Sequence, residues 1–432
     1  MIESHGHEAY AVGGCVRDCI LGKTPNDWDI TTSARPKEIK AYFNRTIDTG
    51  IEHGTVTVRM RGESFEVTTY RIDGDYEDGR HPKEVTFTGK LSDDLLRRDF
   101  TVNAMAYHPV KGLVDIFGGY DDLNGKVIRA VGDPTARFTE DALRMLRAIR
   151  FAAKLDFTIE EATYDAVRKM SANLAKISRE RIQAEIVKLL LSDHPERMRD
   201  VYRTGLSASF FPEWDALFAT PQHSVHHCFD VGEHTIAVLC ALPPERILRL
   251  AGVFHDIAKP LTRRTDAKGR DHFVGHPQLG AQMTKDILRR MKFDNATIDT
   301  VSALVKYHDE RPAPTKRNMR RLAARIGSDR MEALFTLKEA DIVGQSDHER
   351  EEKLQSVKKM REEYLSVVSE GEAVRISDLA INGKDLLDAG IPQGREIGEI
   401  LKLLLKKVVD TPEENNRTYL LEQAWLYHEL KR

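Results

Sequence analysis

The sequence predicts an α+β fold in which a sheet-containing N-terminal domain is followed by helical domains. Up to about residue 128, short β-like runs such as "YAVGG", "WDITT" and "TVTVRM" alternate with helical runs. The segment "GTVTVRMRGESFEVTTYR" has the pattern of a hairpin that turns at "RGES", which favours a mixed or mostly antiparallel sheet. After "NGKVIRAVGDP", apolar residues recur at three- and four-residue spacing to the end of the chain, as in amphipathic helices.

A chain of 432 residues is too long for one ordinary domain. A Pro- and aromatic-rich run, "FPEWDALFATPQHSVHHC", and a charged run, "HEREEKLQSVKKMREEY", indicate two boundaries in the helical part. We predict four segments, which are a head (1–128), a helical neck (129–220), a helical bundle (221–350) and a helical tail (351–432).

Composition excludes some classes of protein but identifies no partner. The 65 Lys and Arg residues nearly balance the 68 Asp and Glu residues, so only local clusters can be informative. The four cysteines show no metal-knuckle pairing, the N-terminus has no signal segment, and no run approaches about 18 apolar residues. We therefore predict a reduced, cytoplasmic protein without a membrane-spanning helix.

Two glycines follow the first strand-like run and precede a helix-like one. The backbone of Gly13 and Gly14 can approach a triphosphate closely at a helix N-terminus, where amide dipoles favour anions. Arg17 or Lys23 would add positive charge. Alone these glycines are a weak signal for phosphate binding.

The stretch "DWDITT" strengthens that signal. On a strand, Asp27 and Asp29 point the same way and Trp28 turns inward, because successive side chains alternate faces. Two carboxylates on one face repel each other, and a pair of Mg²⁺ ions that also bind substrate phosphates would relieve the repulsion. Glu66, on a neighbouring strand of the predicted hairpin, is the candidate third carboxylate, although it could equally be an exposed strand residue.

The motif "EDALR" suggests a base-selecting pair. We expect Asp141 and Arg144 to lie three residues apart on one helix and therefore to share a face. Cytosine and adenine each present an amino donor beside a ring-nitrogen acceptor, whereas guanine and uracil present the reverse order. A carboxylate that accepts and a guanidinium that donates would thus select C and A.

Four motifs in order, "VGGCVRD...DWDITT", "RRDFTVNAMAY", "EDALRMLRAIRFA" and "ISRERIQAEI", resemble the class II tRNA nucleotidyltransferase and bacterial poly(A) polymerase family over residues 10–215. The resemblance implies a nucleotidyltransferase palm in the head, followed by a helical neck. It also implies that Asp27 and Asp29 are the catalytic pair that binds Mg²⁺, and that the "RRDF" motif orders the ribose and phosphates. The predicted nucleotide-binding residues are Gly13, Gly14, Arg17, Arg98, Asp99, Asn103, Asp141, Arg144 and Arg147.

Members of that family add C, A or both to RNA. Full CCA-adding members resemble this chain in the polar segment "YRIDGDYEDGRHPKEVTF", which favours transfer of CMP and AMP from CTP and ATP to the 3′ end of tRNA. Addition of A alone, or of a poly(A) tail, remains open.

Most histidines lie between residues 222 and 350. The order of His234, adjacent His255 and Asp256, and Asp341 resembles the HD phosphohydrolase superfamily, in which these residues hold a divalent metal. In the same superfamily, His276 and His308 match the histidines of members with a second metal, and Lys259 would lie near the phosphate. The resemblance implies a second activity as a phosphatase or 2′,3′-cyclic phosphodiesterase, with a metal of unknown identity.

The C-terminal segment "GIPQGREIGEILKLLLKKVVD" combines a glycine-containing loop with a lysine-bearing helix. Its resemblance to the tail of the same enzymes suggests that Lys402, Lys406 and Lys407 contact tRNA phosphates. A helical hairpin that only packs on the bundle is an equal alternative.

The combined prediction is a CCA-adding enzyme with a fused HD domain. The alternatives are a poly(A) polymerase or A-adding enzyme, and an HD phosphohydrolase whose head only binds RNA. The intact "DWD" and "RRDF" motifs argue against the last, since a binding module has no need of a metal pair. A nucleotide-signalling synthetase–hydrolase would place the HD part ahead of the transferase, opposite to the order here.

Overall fold

The computed structural model describes residues 1–73, 85–223 and 229–430. The chain divides into two compact units, the first from Met1 to Asp215 and the second from Ala216 onwards. This division lies near the predicted end of the neck at residue 220, and the other predicted boundaries stay predictions.

The first unit contains most of the β-structure. Its strands are β1 (Ala9–Val12), β2 (Trp28–Thr32), β3 (Thr46–Gly50), β4 (Thr55–Met60), β5 (Glu63–Thr69), β6 (Arg71–Asp73), β7 (Val85–Phe87), β8 (Met105–His108), β9 (Gly112–Asp115), β10 (Val127–Ile128) and β11 (Thr158–Ile159). Seven of them form one sheet in the order β3-β4-β5-β2-β1-β8-β9. Within it β2 and β5 pair in parallel and the other neighbours pair antiparallel, so the predicted mixed sheet is confirmed.

Along the chain, helices lie both between the strands of the first unit and after its last strand. Those of the first unit, with the helix that ends it, are α1 (Gly14–Ile20), α2 (Pro36–Tyr42), α3 (Leu91–Leu96), α4 (Gly119–Asn124), α5 (Pro134–Glu140), α6 (Leu143–Leu155), α7 (Glu161–Met170), α8 (Arg179–Leu190), α9 (Met198–Arg203) and α10 (Pro212–Phe218).

The β4–β5 hairpin turns where the sequence predicts. Its two-residue loop is Arg61 and Gly62, with positive φ at both (53° and 87°), as a tight hairpin turn requires. This turn fixes the register of β5 against β4, and on its other edge β5 pairs in parallel with β2, where Glu66 lies beside Asp29.

An apolar core fixes α6 relative to the glycine pair. Phe100 and Phe151 pack edge to face with ring centroids 5.8 Å apart, inside a buried cluster that also contains Cys15 and Val16 of α1. Burial of each large side chain contributes about 1.5–3 kcal/mol. The arginines of α6 are therefore held at a defined place beside α1.

The prediction that Asp141 and Arg144 share a helix is wrong. The chain breaks between α5 and α6, and Asp141 is extended (φ −139°, ψ 103°). Its Oδ1 accepts the Leu143 N–H at 3.0 Å, as a carboxylate that caps a helix does. Asp141 thus precedes the helix that contains Arg144.

In the part of the second unit that the structure describes, the regular structure is helical apart from one short antiparallel strand pair. Its elements are α11 (Val231–Ala241), α12 (Arg246–Phe254), α13 (Lys259–Thr262), β12 (Arg264–Thr265), β13 (Asp271–His272), α14 (His276–Arg290), α15 (Asn295–Tyr307), α16 (Lys316–Ile326), α17 (Met331–Gly344), α18 (Arg350–Ser369), α19 (Gly383–Asp388), α20 (Arg395–Asp410) and α21 (Arg417–Glu429). Among the described residues, no helix is long and apolar enough to cross a membrane.

Candidate functional site

A cleft of about 320 Å³ in the first unit collects most of the predicted transferase residues. Those that line it are Gly13, Gly14, Arg17, Asp27, Asp29, Arg98, Asp99, Asn103 and Arg147. Arg17, rather than the alternative Lys23, lies in its wall. Arg150, Phe151 and Lys154 of α6 complete the wall, so acidic and basic side chains face one space.

The acidic side of the cleft forms at the start of β2. Asp29 and Glu66 are directly paired across the parallel strands, so their side chains project from the same face. Burial raises the pKa of Asp29, Asp27 raises it further, and Arg98 opposes the increase. Burial also raises the pKa of Glu66, followed by the charges of Asp29 and Asp27. Three carboxylates therefore repel one another at a place where a cation would stabilise them.

Trp28 does not turn into the core as predicted. The residue is 38% exposed and, with Ile30 and Tyr107, lines an apolar cleft. The alternation of side chains along β2 places Trp28 and Ile30 on the face opposite Asp29, but that face is only partly covered.

The glycine pair allows close approach to the cleft. Gly13 has φ +81° and ψ −129°, a conformation that L side chains rarely adopt, and a Cβ there would lie 2.9 Å from Arg98 Nη1. Asp94, which is buried, accepts a hydrogen bond from Arg98 Nη2 at 3.3 Å. The guanidinium of Arg98 thus lies against the Gly13 backbone, at a position whose positive φ favours glycine.

A buried network connects the "RRDF" motif to α6. Asp99 accepts hydrogen bonds from Arg147 at 2.5 and 2.9 Å and from Asn103 Nδ2 at 3.1 Å, and Asn103 Oδ1 accepts one from Arg17 at 2.5 Å. Burial alone would raise the pKa of Asp99, but the Arg147 charge and the hydrogen bonds outweigh it and lower that pKa to about 2. Asp99 is therefore ionised and fixes two cleft arginines.

The guanidiniums of Arg17, Arg147 and Arg150 surround one aromatic ring. Their central carbons lie 5.4, 5.3 and 3.8 Å from the centroid of Phe151. Arg150 also pairs with buried Glu185 at 2.5 Å. This basic wall faces the acidic side of the cleft.

Asp141 has a partner that the motif does not contain. Arg181 of α8 binds its carboxylate through both terminal nitrogens, at 2.6 and 3.3 Å. Together with the Leu143 N–H, this pairing orients the carboxylate.

Arg144 is buried and caps two helix ends. Its Nη1 donates to the Arg137 carbonyl of α5 at 3.3 Å and to Glu140 at 2.7 Å, and its Nη2 donates to the Arg97 carbonyl after α3 at 2.8 Å. The backbone N–H of Arg144 donates to the Asp141 carbonyl at 3.0 Å, but the two side chains bind other partners rather than each other. Most of the segment "YRIDGDYEDGRHPKEVTF" (70–87) lies outside the described residues.

The second unit contains the predicted cluster of histidines and aspartates. In each of two groups of three buried residues, the ligand atoms lie within 4.8 Å of one another. We call the first group, which is His234, His255 and Asp341, the first half-site. The second half-site is Asp256, His276 and His308. All six residues come from the prediction, and each group could hold a metal ion.

Within the first half-site, the Nε2 of His234 lies 3.2 Å from the Nε2 of His255 and 3.1 Å from Asp341 Oδ1. Asp256 lies between the groups, because its Oδ2 is 3.2 Å from His255 Nε2 and its Oδ1 is 3.4 Å from His276 Nε2. Burial alone would raise the pKa of Asp256 and Asp341, but nearby histidines, and Lys259 for Asp256, lower both pKa values, so both carboxyls are ionised.

Backbone carbonyls set the tautomer of all four histidines. The Nδ1 atoms of His234, His255, His276 and His308 lie 2.7–3.1 Å from the carbonyl oxygens of Gly344, Gly252, Phe273 and Val305 respectively. A carbonyl can only accept, so each Nδ1 carries the proton, and in the neutral ring each Nε2 presents a lone pair. Four lone pairs converge on two carboxylates, the donor set that a divalent cation requires.

Lys259 is buried beside this cluster. Its Nζ lies 2.7 Å from Asp256 Oδ2 and donates to Gln222 Oε1 at 2.8 Å. Both lysine and cluster open into a cavity of about 970 Å³, which also contains Lys306 and Arg311. The sequence predicts a phosphate near Lys259, and the positive charge of this lysine is the kind that attracts a phosphate.

The tail lysines divide into two groups. Lys402 and Lys406 are exposed and line a groove of about 980 Å³ with Arg321, Arg325 and Arg375.

Lys407 points elsewhere. Its Nζ donates to Gln423 at 2.8 Å and lies 4.8 Å from the Tyr419 ring, so it joins α20 to α21. The three predicted lysines therefore do not lie on one common surface.

Comparison with known proteins relates both units to one family. The model of the "Poly A polymerase head domain" matches residues 9–129, that of the "Probable RNA and SrmB-binding site of polymerase A" matches 156–218, and that of tRNA nucleotidyltransferase domain 2 matches 276–424. The CCA-adding enzyme of Levilactobacillus brevis is 35% identical over 97% of this chain and 94% of its own length. The chain belongs to the CCA-adding enzyme family.

Other relatives agree with this assignment to the CCA-adding enzyme family. The enzyme of Limosilactobacillus reuteri is 52% identical over 206 residues, which are 48% of this chain and 51% of the relative. The crystal structure of the Bacillus stearothermophilus CCA-adding enzyme in complex with CTP aligns with a TM-score of 0.72 and 29% identity, covering 100% of this chain and 95% of that one. The Thermotoga maritima CCA-adding enzyme complexed with tRNA has a TM-score of 0.55 at 22% identity, over 98% and 92% of the two chains, and shares the fold.

Sequence reasoning missed two arginines of this CCA-adding enzyme family member. Arg150 continues the three-residue spacing of Asp141, Arg144 and Arg147, so its place on the cleft side was visible in "EDALRMLRAIR". Arg181 lies in the recognised motif "ISRERIQAEI", but only the fold shows that it binds Asp141.

We predict that Gly13→Ala lowers the free energy of unfolding by about 1–3 kcal/mol, because alanine at this φ is strained and its Cβ meets Arg98. Gly14→Ala is the matched control, since Gly14 is helical and a Cβ there would lie 3.7 Å from the nearest atom, Arg17 Nη2. Urea unfolding of both variants measures the difference. Equal midpoints would contradict the assignment of Gly13 as an obligatory glycine.

Proposed function

We propose that this protein transfers CMP and AMP from CTP and ATP to the 3′ end of tRNA and releases pyrophosphate. The observation that carries the proposal is the register of Asp29 opposite Glu66, beside a cleft lined by glycines and arginines. Relatives named CCA-adding enzymes, and the related structure with CTP, support it. A cytoplasmic location remains a prediction.

The acidic side of the cleft suits Mg²⁺. Asp27, Asp29 and Glu66 supply hard oxygen ligands, and their mutual repulsion favours a divalent cation. When bound there with the triphosphate, Mg²⁺ would stabilise the charge of the leaving pyrophosphate and favour attack by the RNA 3′-hydroxyl. Arg17, Arg98 and the basic wall of α6 would orient the triphosphate.

Base selection is assigned to Asp141 and Arg144. Arg181 keeps the Asp141 carboxylate oriented, so it would accept from the amino group of cytosine or adenine. Arg144 already donates to three protein groups, and a guanidinium has five N–H donors, so it retains the capacity to donate to a ring nitrogen.

The test is incubation of the purified protein and Mg²⁺ with tRNA transcripts that end before CCA, after C and after CC. Each is offered labelled CTP, ATP, UTP or GTP. We expect extension of all three to CCA and no further, without use of UTP or GTP. A single A added only to the CC-ended transcript would instead indicate an A-adding enzyme, and an open-ended ladder a poly(A) polymerase.

We predict that Glu66→Gln raises the Mg²⁺ concentration needed for half-maximal transfer by about tenfold or more, because a carboxylate that helps hold the cation is lost. Glu63→Gln is the matched control, since Glu63 lies on the same strand at the hairpin end, opposite Met60. If both variants require the same Mg²⁺ as the unsubstituted protein, Glu66 is not a ligand.

The groove that contains the exposed Lys402 and Lys406 is the proposed contact with tRNA phosphates. Its three arginines already pair with carboxylates, Arg321 with Asp410, Arg325 with Glu310 and Arg375 with Asp378, so the two lysines are the cations offered to phosphate. Clustered cations bind the phosphate backbone without reading sequence. Lys407 is left out of this proposal because it already binds Gln423 and Tyr419.

A second activity is proposed for the second unit, which we interpret as an HD domain. The observation that favours it is the convergence of four Nε2 atoms on Asp256 and Asp341. A divalent metal held there would activate water against a phosphoester. The water oxygen would bond to phosphorus, the ester P–O bond would break, and the proton lost by the water would pass to the departing ribose oxygen, while Lys259 would neutralise charge on the phosphate.

We predict that the protein hydrolyses RNA ends with a 3′-phosphate or a 2′,3′-cyclic phosphate when supplied with Mn²⁺, Ni²⁺, Co²⁺ or Mg²⁺. His255→Ala should abolish this hydrolysis and leave nucleotide addition unchanged, because His255 belongs to the second unit. The exposed His348 offers the control substitution to Ala, which should affect neither activity. If no phosphate is released from the 3′-phosphate and the cyclic phosphate is not opened to a monoester with any of these metals, the second activity is refuted.

A further inference from the structure

Lys338 is a buried lysine that the proposed chemistry does not use. It lies on α17, one turn before Asp341, and is 5% exposed. Its Nζ donates to two backbone carbonyl oxygens, those of His308 and Glu310, at 2.5 Å each. A buried ammonium has a high desolvation cost, so this placement requires a structural or functional reason.

The carbonyl of His308 directly follows α15, and that of Glu310 belongs to the turn after it. The helix stops at Tyr307, and the last carbonyls of a helix have no partner within it. A cation near these oxygens satisfies them and complements the negative end of the helix dipole. Lys338 therefore caps α15 from a different helix.

The position of the His308 ring depends on that helix end. Its Nδ1 bonds to the Val305 carbonyl of α15, and its Nε2 lies 3.4 Å from His276 Nε2 and 3.7 Å from Asp256 Oδ1. The positions of both ring nitrogens therefore depend on the position of the backbone at residue 308. Metal ligands must lie within about 0.2 Å of their ideal distances, so a small shift of this backbone would weaken a bound metal.

The first half-site has other supports. His234 and His255 bond to the carbonyls of Gly344 and Gly252, and both oxygens of Asp341 accept from Gln345 Nε2 at 3.2 Å. The two hydrogen bonds of Lys338 go to neither group. Its removal should therefore act on one half-site more than on the other.

We propose that Lys338 is a positioning residue for the second half-site and that it acts by holding the carbonyls of His308 and Glu310. The proposal rests on the metal centre proposed above. The two half-sites would then be held in place by different hydrogen bonds, although they belong to one cluster.

The test is Mn²⁺ titration of the full chain, with Asp29→Ala in every protein compared so that binding in the transferase cleft does not contribute. We expect two Mn²⁺ per chain in this background. Lys338→Met should weaken the second by about 10–100-fold, as loss of an outer-shell partner does, and weaken the first much less, because Lys338 interacts with the charge of Asp341 but gives it no hydrogen bond. The titration should match that of His308→Ala and differ from that of His255→Ala, which removes a ligand of the first half-site.

Lys306→Met is the matched control. Lys306 is an exposed lysine on α15 in the wall of the same cavity, so its loss removes the same charge without freeing a carbonyl. We expect both Mn²⁺ affinities to be retained. Lys338→Gln, which can keep one of the two hydrogen bonds, should give an intermediate affinity and provides a milder change if the methionine variant does not fold.

Unchanged Mn²⁺ affinities in folded Lys338→Met, or equal weakening of both half-sites, would overturn the role of Lys338. A parent protein that binds no Mn²⁺ would instead refute the metal centre itself, and the positioning role with it. The two failures are therefore distinguishable in one titration series.

Discussion

The transferase cleft depends on the ion pair between buried Asp99 and partly exposed Arg147. It joins the loop before β8 to α6 at 2.5 Å, and through Asn103 it also fixes Arg17 of α1. Removal of Arg147 would leave the buried Asp99 carboxylate without its main charged partner, which costs more than loss of a fully exposed pair. Because Arg17 and Arg147 are both held through Asp99, this part of the basic wall keeps its shape while the acidic side of the cleft remains repulsive.

The transferase cleft brings carboxylates close together and the helical unit brings imidazoles close together, and the fold does this differently in the two sites. In the cleft, Asp29 and Glu66 are adjacent because two strands run parallel in a given register. In the helical unit, backbone carbonyls hold four imidazoles so that their lone pairs face one another. In the cleft the neighbouring carboxylates repel one another, which favours a bound cation, whereas in the helical unit the histidines and Lys259 already stabilise the ionised Asp256 and Asp341.

Much of the fold and most of the site residues were predictable because local patterns decide them. Strand alternation and the hairpin turn predict the strands and their faces, but the parallel pairing that puts Glu66 beside Asp29 is visible only in the folded sheet. Capping and tertiary contacts were not predictable: Asp141 leaves the helix because it caps the following one, and Trp28 is exposed because its face of the sheet is only partly covered. Lys407 and Lys402 are both lysines of α20, yet the contacts of Lys407 with α21 give it a different role.

The features that escaped prediction share a physical cause. Arg144 donates to the carbonyls of Arg97 and Arg137, and Lys338 donates to those of His308 and Glu310. In each case a buried cation satisfies the end of a helix other than its own, and that helix end lies beside a candidate site. Carbonyl oxygens are present at every residue and have no signature in the sequence, so such partners emerge only when the helices are packed. A basic residue inside an apolar helix face is therefore a reason to look for a nearby helix end before assuming a ligand.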